Sequence, residues 1–226
     1  MSGLYAFALL SGRPRGPLGR GFGRESLRLV RCAGLLVTVS RLPATPATSL
    51  SALRRHDAVV RRLVRRADGV LPFRFGTFVD DRPTLARRLS ARAPALRRAL
   101  SLVAGREQMT LRVYGPPARP SRARRPASRH GAGARYLATR LAAARRRRSV
   151  PELAPLRAAL GPFVVAERAE RHDHPPLLAS VYHLVERGRS RAYRRAVTTA
   201  RARLGRVTLS VSGPWPPYAF APDEAA

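Results

Sequence analysis

Seven consecutive apolar residues, Leu4-Tyr5-Ala6-Phe7-Ala8-Leu9-Leu10, stand near the start of the chain and end at Ser11-Gly12. The run is far too short for a membrane-spanning helix, which needs ~20 residues. A continuous apolar stretch of this length, closed by a turn pair, reads as a buried strand.

The following residues alternate between strand and helix signals. Gly12 to Arg24 is rich in Gly, Arg and Pro and reads as a loop. Leu27 to Ser40 offers two short strands, broken near Cys32-Ala33-Gly34. From Ser49 the period changes to that of a helix. Leu50, Leu53, Val60, Leu63, Val64 and Ala67 share one face, and Arg54, Arg55, Arg61, Arg62, Arg65 and Arg66 lie largely around the other. Ser49 supplies an N-cap and Asp68-Gly69 a stop. Val70 to Val79 reads as a strand with a local break at Gly76. Leu85 and Leu89, then Leu96, Leu100 and Val103, mark a second helical stretch, which Pro94 must kink or restart. Met109, Leu111 and Val113 alternate with polar residues as in a half-buried strand.

Gly115 to Gly133 is Pro-, Arg-, Ser- and Gly-rich without apolar periodicity, and it marks the domain boundary. Beyond it, Tyr136, Leu137 and Leu141 begin a helix that ends in Arg145 to Arg148, and Pro151 to Leu160 forms another. Phe163 to Glu167 and Leu177 to Glu186 read as strands joined by a polar turn at Arg171-His172-Asp173-His174-Pro175. Tyr193, Ala196, Val197, Ala200 and Leu204 mark a helical face, and Val207 to Ser212 alternates strictly as a strand. The expectation is an α+β protein of two small, ferredoxin-like-related α+β domains. Residues 1–114 form the first, 115–132 a linker, 133–212 the second, and 213–226 a C-terminal Pro/aromatic arm.

Charge is the strongest compositional feature: 44 basic residues stand against 13 acidic ones, for a formal net charge of +31. Such an excess suggests nucleic acid or another anionic surface as a partner, and a basic nucleic-acid-binding protein is the alternative reading. Every basic residue is an arginine, however, and evolved phosphate-binding surfaces usually mix lysine with arginine. Coding bias toward arginine explains this better, and no helix-turn-helix, zinc-finger or RNA-binding motif accompanies the charge. The single cysteine, Cys32, rules out an intramolecular disulfide and a thiolate metal cluster, leaving a buried thiol as its expected role. With no export or membrane signal, the expected location is cytoplasmic, with no membrane partner.

Catalytic patterns are missing. His172 and His174 flank Asp173, but a metal site needs further ligands, so a solvated turn is expected and no metal or cofactor. No carboxylate pair suggests acid–base work, and no serine sits in a nucleophile elbow. Gly19 to Gly23 lacks the lysine of a phosphate loop and the spacing of a dinucleotide fingerprint. The chain is expected not to be an enzyme and to take no small-molecule substrate.

Two segments carry more information. Val70 to Phe78 packs three phenylalanines around Arg74 and Gly76. Gly213-Pro214-Trp215-Pro216-Pro217-Tyr218-Ala219-Phe220 follows the last strand and holds the only tryptophan. Its prolines should take it out of the sheet in a stiff, extended form, and its rings must be buried somewhere. Either the arm folds over its own domains, or it is exposed and docks a partner.

On these segments the chain resembles the gas vesicle protein F/L family. Members carry a Leu-Pro-x-Arg-Phe-Gly-Thr segment, here Leu71, Pro72, Phe73, Arg74, Phe75, Gly76 and Thr77. They end in Gly-Pro-Trp-Pro-Pro-Tyr-x-Phe, here Gly213, Pro214, Trp215, Pro216, Pro217, Tyr218, Ala219 and Phe220. His56 in the preceding helix, Glu107 within Gly105-Arg106-Glu107, and Gly133 to Leu137 fit the same order, so the likeness runs over nearly the whole chain. The resemblance implies an accessory protein of gas vesicle assembly and buoyancy, localised to the gas vesicle. It would bind the hydrophobic major shell protein and other accessory proteins, as a minor shell component or an assembly factor. It implies no enzymatic activity and no specific nucleic acid. The Arg/Gly loop and the Arg-rich linker are more basic than the resemblance leads one to expect.

Overall fold

The computed structural model describes residues 2–116 and 149–222. Most of the expected linker, the helix begun at Tyr136 and the Arg145–Arg148 run lie outside the described residues. The chain divides into two compact units, residues 1–108 with 214–226, and residues 109–213. It therefore passes between units inside a strand and again at the end of the last strand, and the C-terminal segment belongs with the first unit. The first crossing falls before the Pro/Arg-rich stretch that composition singles out.

In the first unit the sheet order is β2-β3-β1-β4, with β5 also on β1. These strands are β1 (Gly3–Leu10), β2 (Arg28–Cys32), β3 (Leu35–Leu42), β4 (Val70–Pro72) and β5 (Phe78–Val79). All the described pairings are antiparallel. Every residue of β1 is buried, which explains its unbroken apolar run: it is central, and both its faces are covered. The β2–β3 hairpin turns at Ala33 and Gly34, both at positive φ (51° and 74°), as a two-residue turn of the primed kind requires.

α1 (Leu50–Val64) packs on β1 and β4. Ser49 caps it by accepting from the Ala52 N–H at 3.2 Å. Its buried residues are His56, Val59, Val60 and Leu63. Leu50 and Leu53, expected on that face, are 64% and 41% exposed, because burial begins only at the second turn. α2 (Arg82–Ser90) and α3 (Ala93–Val103) follow β5. Asp81 caps α2 through the Thr84 N–H at 2.8 Å, and Pro94 sits in the first turn of α3, so the proline begins a new helix rather than kinking an old one.

In the second unit the order is β7-β8-β6-β9, with β6 (Arg106–Tyr114), β7 (Val164–Arg171), β8 (Leu177–Glu186) and β9 (Thr208–Trp215). β7 runs four residues past the expected end at Glu167. Its alternating Glu and Arg suit an exposed edge strand, and Arg171 is pinned by an ion pair with Glu152 at 2.9 Å. β9 likewise runs past Ser212 to Trp215. Pro214 is tolerated there because β9 is the terminal strand and its outer side needs no donor. Pro151–Leu156 is a 3₁₀ turn followed by the short helical turn Arg157–Leu160, not the single helix expected, and Pro155 interrupts it. The helix Ser190–Ala200 buries Tyr193, Val197 and Ala200. The core of this unit is Met109, Leu111 and Val113 with Leu153, Leu156 and Leu160 and the inner residues of β8.

Candidate functional site

The Leu71–Thr77 segment is one edge of the first sheet, interrupted by a turn. Leu71 pairs with Leu9, and Pro72 with Ala8. Phe73 N–H still donates to the Phe7 carbonyl at 2.9 Å. The chain then leaves the sheet and returns where Ala6 N–H donates to the Thr77 carbonyl at 2.9 Å. Between these points Arg74 to Thr77 form a turn closed twice: the Thr77 N–H and the Thr77 hydroxyl both donate to the Arg74 carbonyl, at 3.3 and 2.8 Å. Gly76 takes φ of 92°, which a side chain would resist. The expected break at Gly76 is thus a five-residue excursion from Phe73 to Thr77.

Beneath the turn lies a ring cluster. Phe75 packs on Tyr5, Phe22 and His56, and Phe7 stacks on His56 with centroids 5.5 Å apart. Phe22 comes from the Gly-rich loop, which is held down where Glu25 accepts from the Phe22 and Gly23 N–H groups and Arg55 donates to the Phe22 carbonyl. A chain of hydrogen bonds runs through the cluster. Gly76 N–H donates to the Tyr5 hydroxyl at 3.0 Å, and Tyr5 O–H donates to His56 Nδ1 at 2.9 Å. His56 Nε2–H donates to the Phe73 carbonyl at 3.2 Å. The carbonyl can only accept, and that assigns the tautomer. Burial pushes His56 down to about 4 and Tyr5 up to about 12, so both are neutral near pH 7.

The arm returns to this same unit. Gly213, at φ of 117°, offers its carbonyl to Arg194, and Pro214 is exposed. The Trp215 ring is 37% exposed and lies 4.6 Å below the Arg61 guanidinium. Pro216 and Pro217 are buried. The turn Tyr218–Phe220 packs beside β4, Phe220 is fully buried, and the Ala219 N–H donates to Gln108 at 2.9 Å. Tyr218 O–H donates to Asp57 at 3.1 Å, while Asp57 also accepts from Arg61 at 2.5 Å. Burial and the Asp57 charge push the Tyr218 hydroxyl well above its ordinary range. Most of the arm therefore packs on its own unit, with Trp215 the ring left partly in solvent. The two expected motif segments, apart from Gly213, come together around α1. Glu107 on β6 is half-buried, and its Oε1 has no hydrogen-bond partner among the described residues.

Sequence reasoning did not find Asp57 and Arg61 as anchors of the arm. Their i, i+4 spacing was the only signal, and any helix can show it. It also missed a second histidine network. His183 on β8 accepts from Tyr193 O–H at 2.7 Å and donates from Nε2 to Glu167 at 2.9 Å. The His183 hydrogen bond holds the Glu167 carboxyl below its usual range, and burial raises Tyr193. His183 and Glu167 border a cleft of about 230 Å³, with Tyr193 buried behind them. They resemble a relay without a nucleophile, since a buried tyrosine with a raised hydroxyl attacks nothing at neutral pH. His172 bonds Ser180 at 2.9 Å, and no group of three metal-ligating side chains occurs among the described residues. Nor is any helix there long and apolar enough to cross a membrane.

No curated protein matches the chain in sequence. Among solved structures, the gas vesicle protein GvpF from Anabaena sp. PCC7120 superposes with a TM-score of 0.70 at 15% identity, over 98% of this chain and 99% of that one. GvpF from Microcystis aeruginosa gives 0.71, also at 15% identity, over 97% and 99%. At that identity the likeness speaks for the fold, α+β with antiparallel sheet. Residues 3–222 match the family described as gas vesicle synthesis protein GvpL/GvpF, so the chain belongs to the GvpL/GvpF family of gas vesicle synthesis proteins.

Proposed function

We propose that the chain serves gas vesicle assembly by binding the hydrophobic shell protein and other accessory proteins, in the cytoplasm and at the vesicle. The observation that carries this reading is the arm. Pro216, Pro217 and Phe220 are buried anchors, and they hold Trp215 partly in solvent beside Arg61. A rigidly presented tryptophan next to an arginine has the composition of an interface anchor. Its role would be to cover apolar shell subunits before they join the shell, since large exposed apolar surfaces associate in water.

We also read both units as variants of the ferredoxin-like arrangement. In its support, their sheets share one strand order: second, third, first, fourth. The first unit differs in having a loop, rather than a helix, between its first two strands.

The test is co-expression with tagged shell protein and recovery in low and high salt. Retention in high salt is expected, and Trp215→Ala should reduce it by about tenfold while leaving the melting temperature within a few degrees. Unchanged retention by the variant rejects the arm as the contact. Recovery of nucleic acid alone, lost steeply as salt rises, would favour a phosphate-binding role instead.

A further inference from the structure

The outer side of the Arg74–Thr77 turn faces a cleft that the arm does not fill. It is about 310 Å³, between the turn and the helices α2 and α3. Its apolar wall is built from Phe78, Leu85, Leu89 and Leu96, and Arg74, Arg88 and Arg92 also line it. No carboxylate is among the lining residues, although Asp80 and Asp81 lie close by in sequence. Asp81 is committed to capping α2. A volume at the low end of the ~300–1,000 Å³ typical of ligand sites suits one or two apolar side chains better than a large cofactor. Guanidinium groups beside an apolar floor favour a carboxylate positioned next to an apolar group, because arginine pairs with carboxylates in bidentate geometry and tolerates a partly dry rim.

We propose that this cleft docks a segment of a partner protein bearing a leucine- or phenylalanine-like side chain flanked by carboxylates. Charge complementarity selects that occupant. A second copy of this chain would bring its own excess of arginine to the arginines already present, since 44 basic residues face only 13 acidic ones. A nucleic acid would match the positive charge but bring no aliphatic side chain to the half-buried Phe75 and Phe78 that line the cleft. The inference extends the assembly reading by naming the chemistry of one contact, and it rests on that reading only in supposing a protein partner.

The experiment is fluorescence anisotropy on the full chain, with labelled short peptides that place one leucine between glutamates, and the same peptides with glutamine in their place. The glutamate peptides are expected to bind. Arg88→Glu, on an exposed position of α2, should weaken them by about tenfold. Arg54→Glu, the same charge change on α1, should leave them nearly unaffected. Equal loss in both variants would overturn the proposal, since only overall charge would then matter. So would equal binding of the glutamine peptides, absence of binding, or a duplex DNA that binds with the same sensitivity to Arg88→Glu. No gas vesicle component enters this assay. Its failure therefore overturns the cleft alone, while failure of the shell-protein recovery overturns the assembly reading alone.

Discussion

At the scale of single residues, His56 shows how a neighbourhood sets a protonation state. Its ring lies among Phe7, Tyr5 and Phe75, and its two nitrogens are committed, one to the Tyr5 hydroxyl and one to the Phe73 carbonyl. A proton on Nδ1 would break the first bond and put a charge in an apolar site, which is why burial pushes the group down to about 4. In the unfolded chain it titrates near 6.5. Between those values the unfolded state binds the extra proton, so stability is fully present above about pH 6.5 and is lost as pH falls toward 4. The full difference is on the order of 3 kcal/mol. His56→Gln is expected to lower the unfolding free energy at pH 7 and to flatten its decline between pH 6.5 and 4. Denaturant titrations of both proteins across that range check this, and an unchanged slope in the variant would show that other groups carry it.

At the scale of elements, α1 joins the features that the sequence presents separately. Its inner face holds His56 against the turn, and its flank holds Asp57 and Arg61 against the arm. The Tyr218–Asp57 bond therefore ties the C-terminal segment to a helix 161 residues away in sequence. Tyr218→Phe removes the donor but leaves Asp57 its bond from Arg61, so a loss of about 1 kcal/mol is expected. Thermal unfolding measures it, and a neutral result would mean that water replaces the hydroxyl at no cost. The helix was legible in advance from its 3.6-residue period and its Ser49 cap. Which of its leucines would be buried was not. Leu50 and Leu53 fit the apolar stripe as well as Leu63 does, and only the extent of packing beneath the helix separates them. The Val70–Val79 stretch shows the same limit: its β-rich composition reads as one strand, yet the main chain leaves the sheet to place Gly76 over Tyr5.

At the scale of the whole molecule, the C-terminal residues 214–226 belong to the unit formed by residues 1–108. Removing them deletes Phe220 from a packed interior, and for a large aromatic that alone costs roughly 3–5 kcal/mol. Truncation after Gly213 is expected to lower hydrogen-exchange protection in α1 and β4 while sparing the β7–β8 hairpin of the other unit. Uniform loss across both units would show that they unfold as one. The net charge of +31 bears on solubility and salt response rather than on fold, and two GvpF proteins share the fold at 15% identity.

Much was already determined by the sequence itself. The apolar run at Leu4–Leu10 required a covered strand, and Ser49 and Pro94 marked helix starts by their local chemistry, whereas α1 ends at Val64, short of the expected stop at Asp68-Gly69. The two aromatic segments pointed to the family. Such features depend on a few neighbouring residues, which a linear reading sees. Tertiary structure alone decided that the division between units falls inside β6, that β9 continues through Pro214, and that His56 stays neutral. It also decided that the arm folds onto α1, leaving Trp215 half in solvent. Each of these depends on which distant groups arrive to desolvate, pair with or cover a residue, and those long-range contacts exist only once the chain has folded.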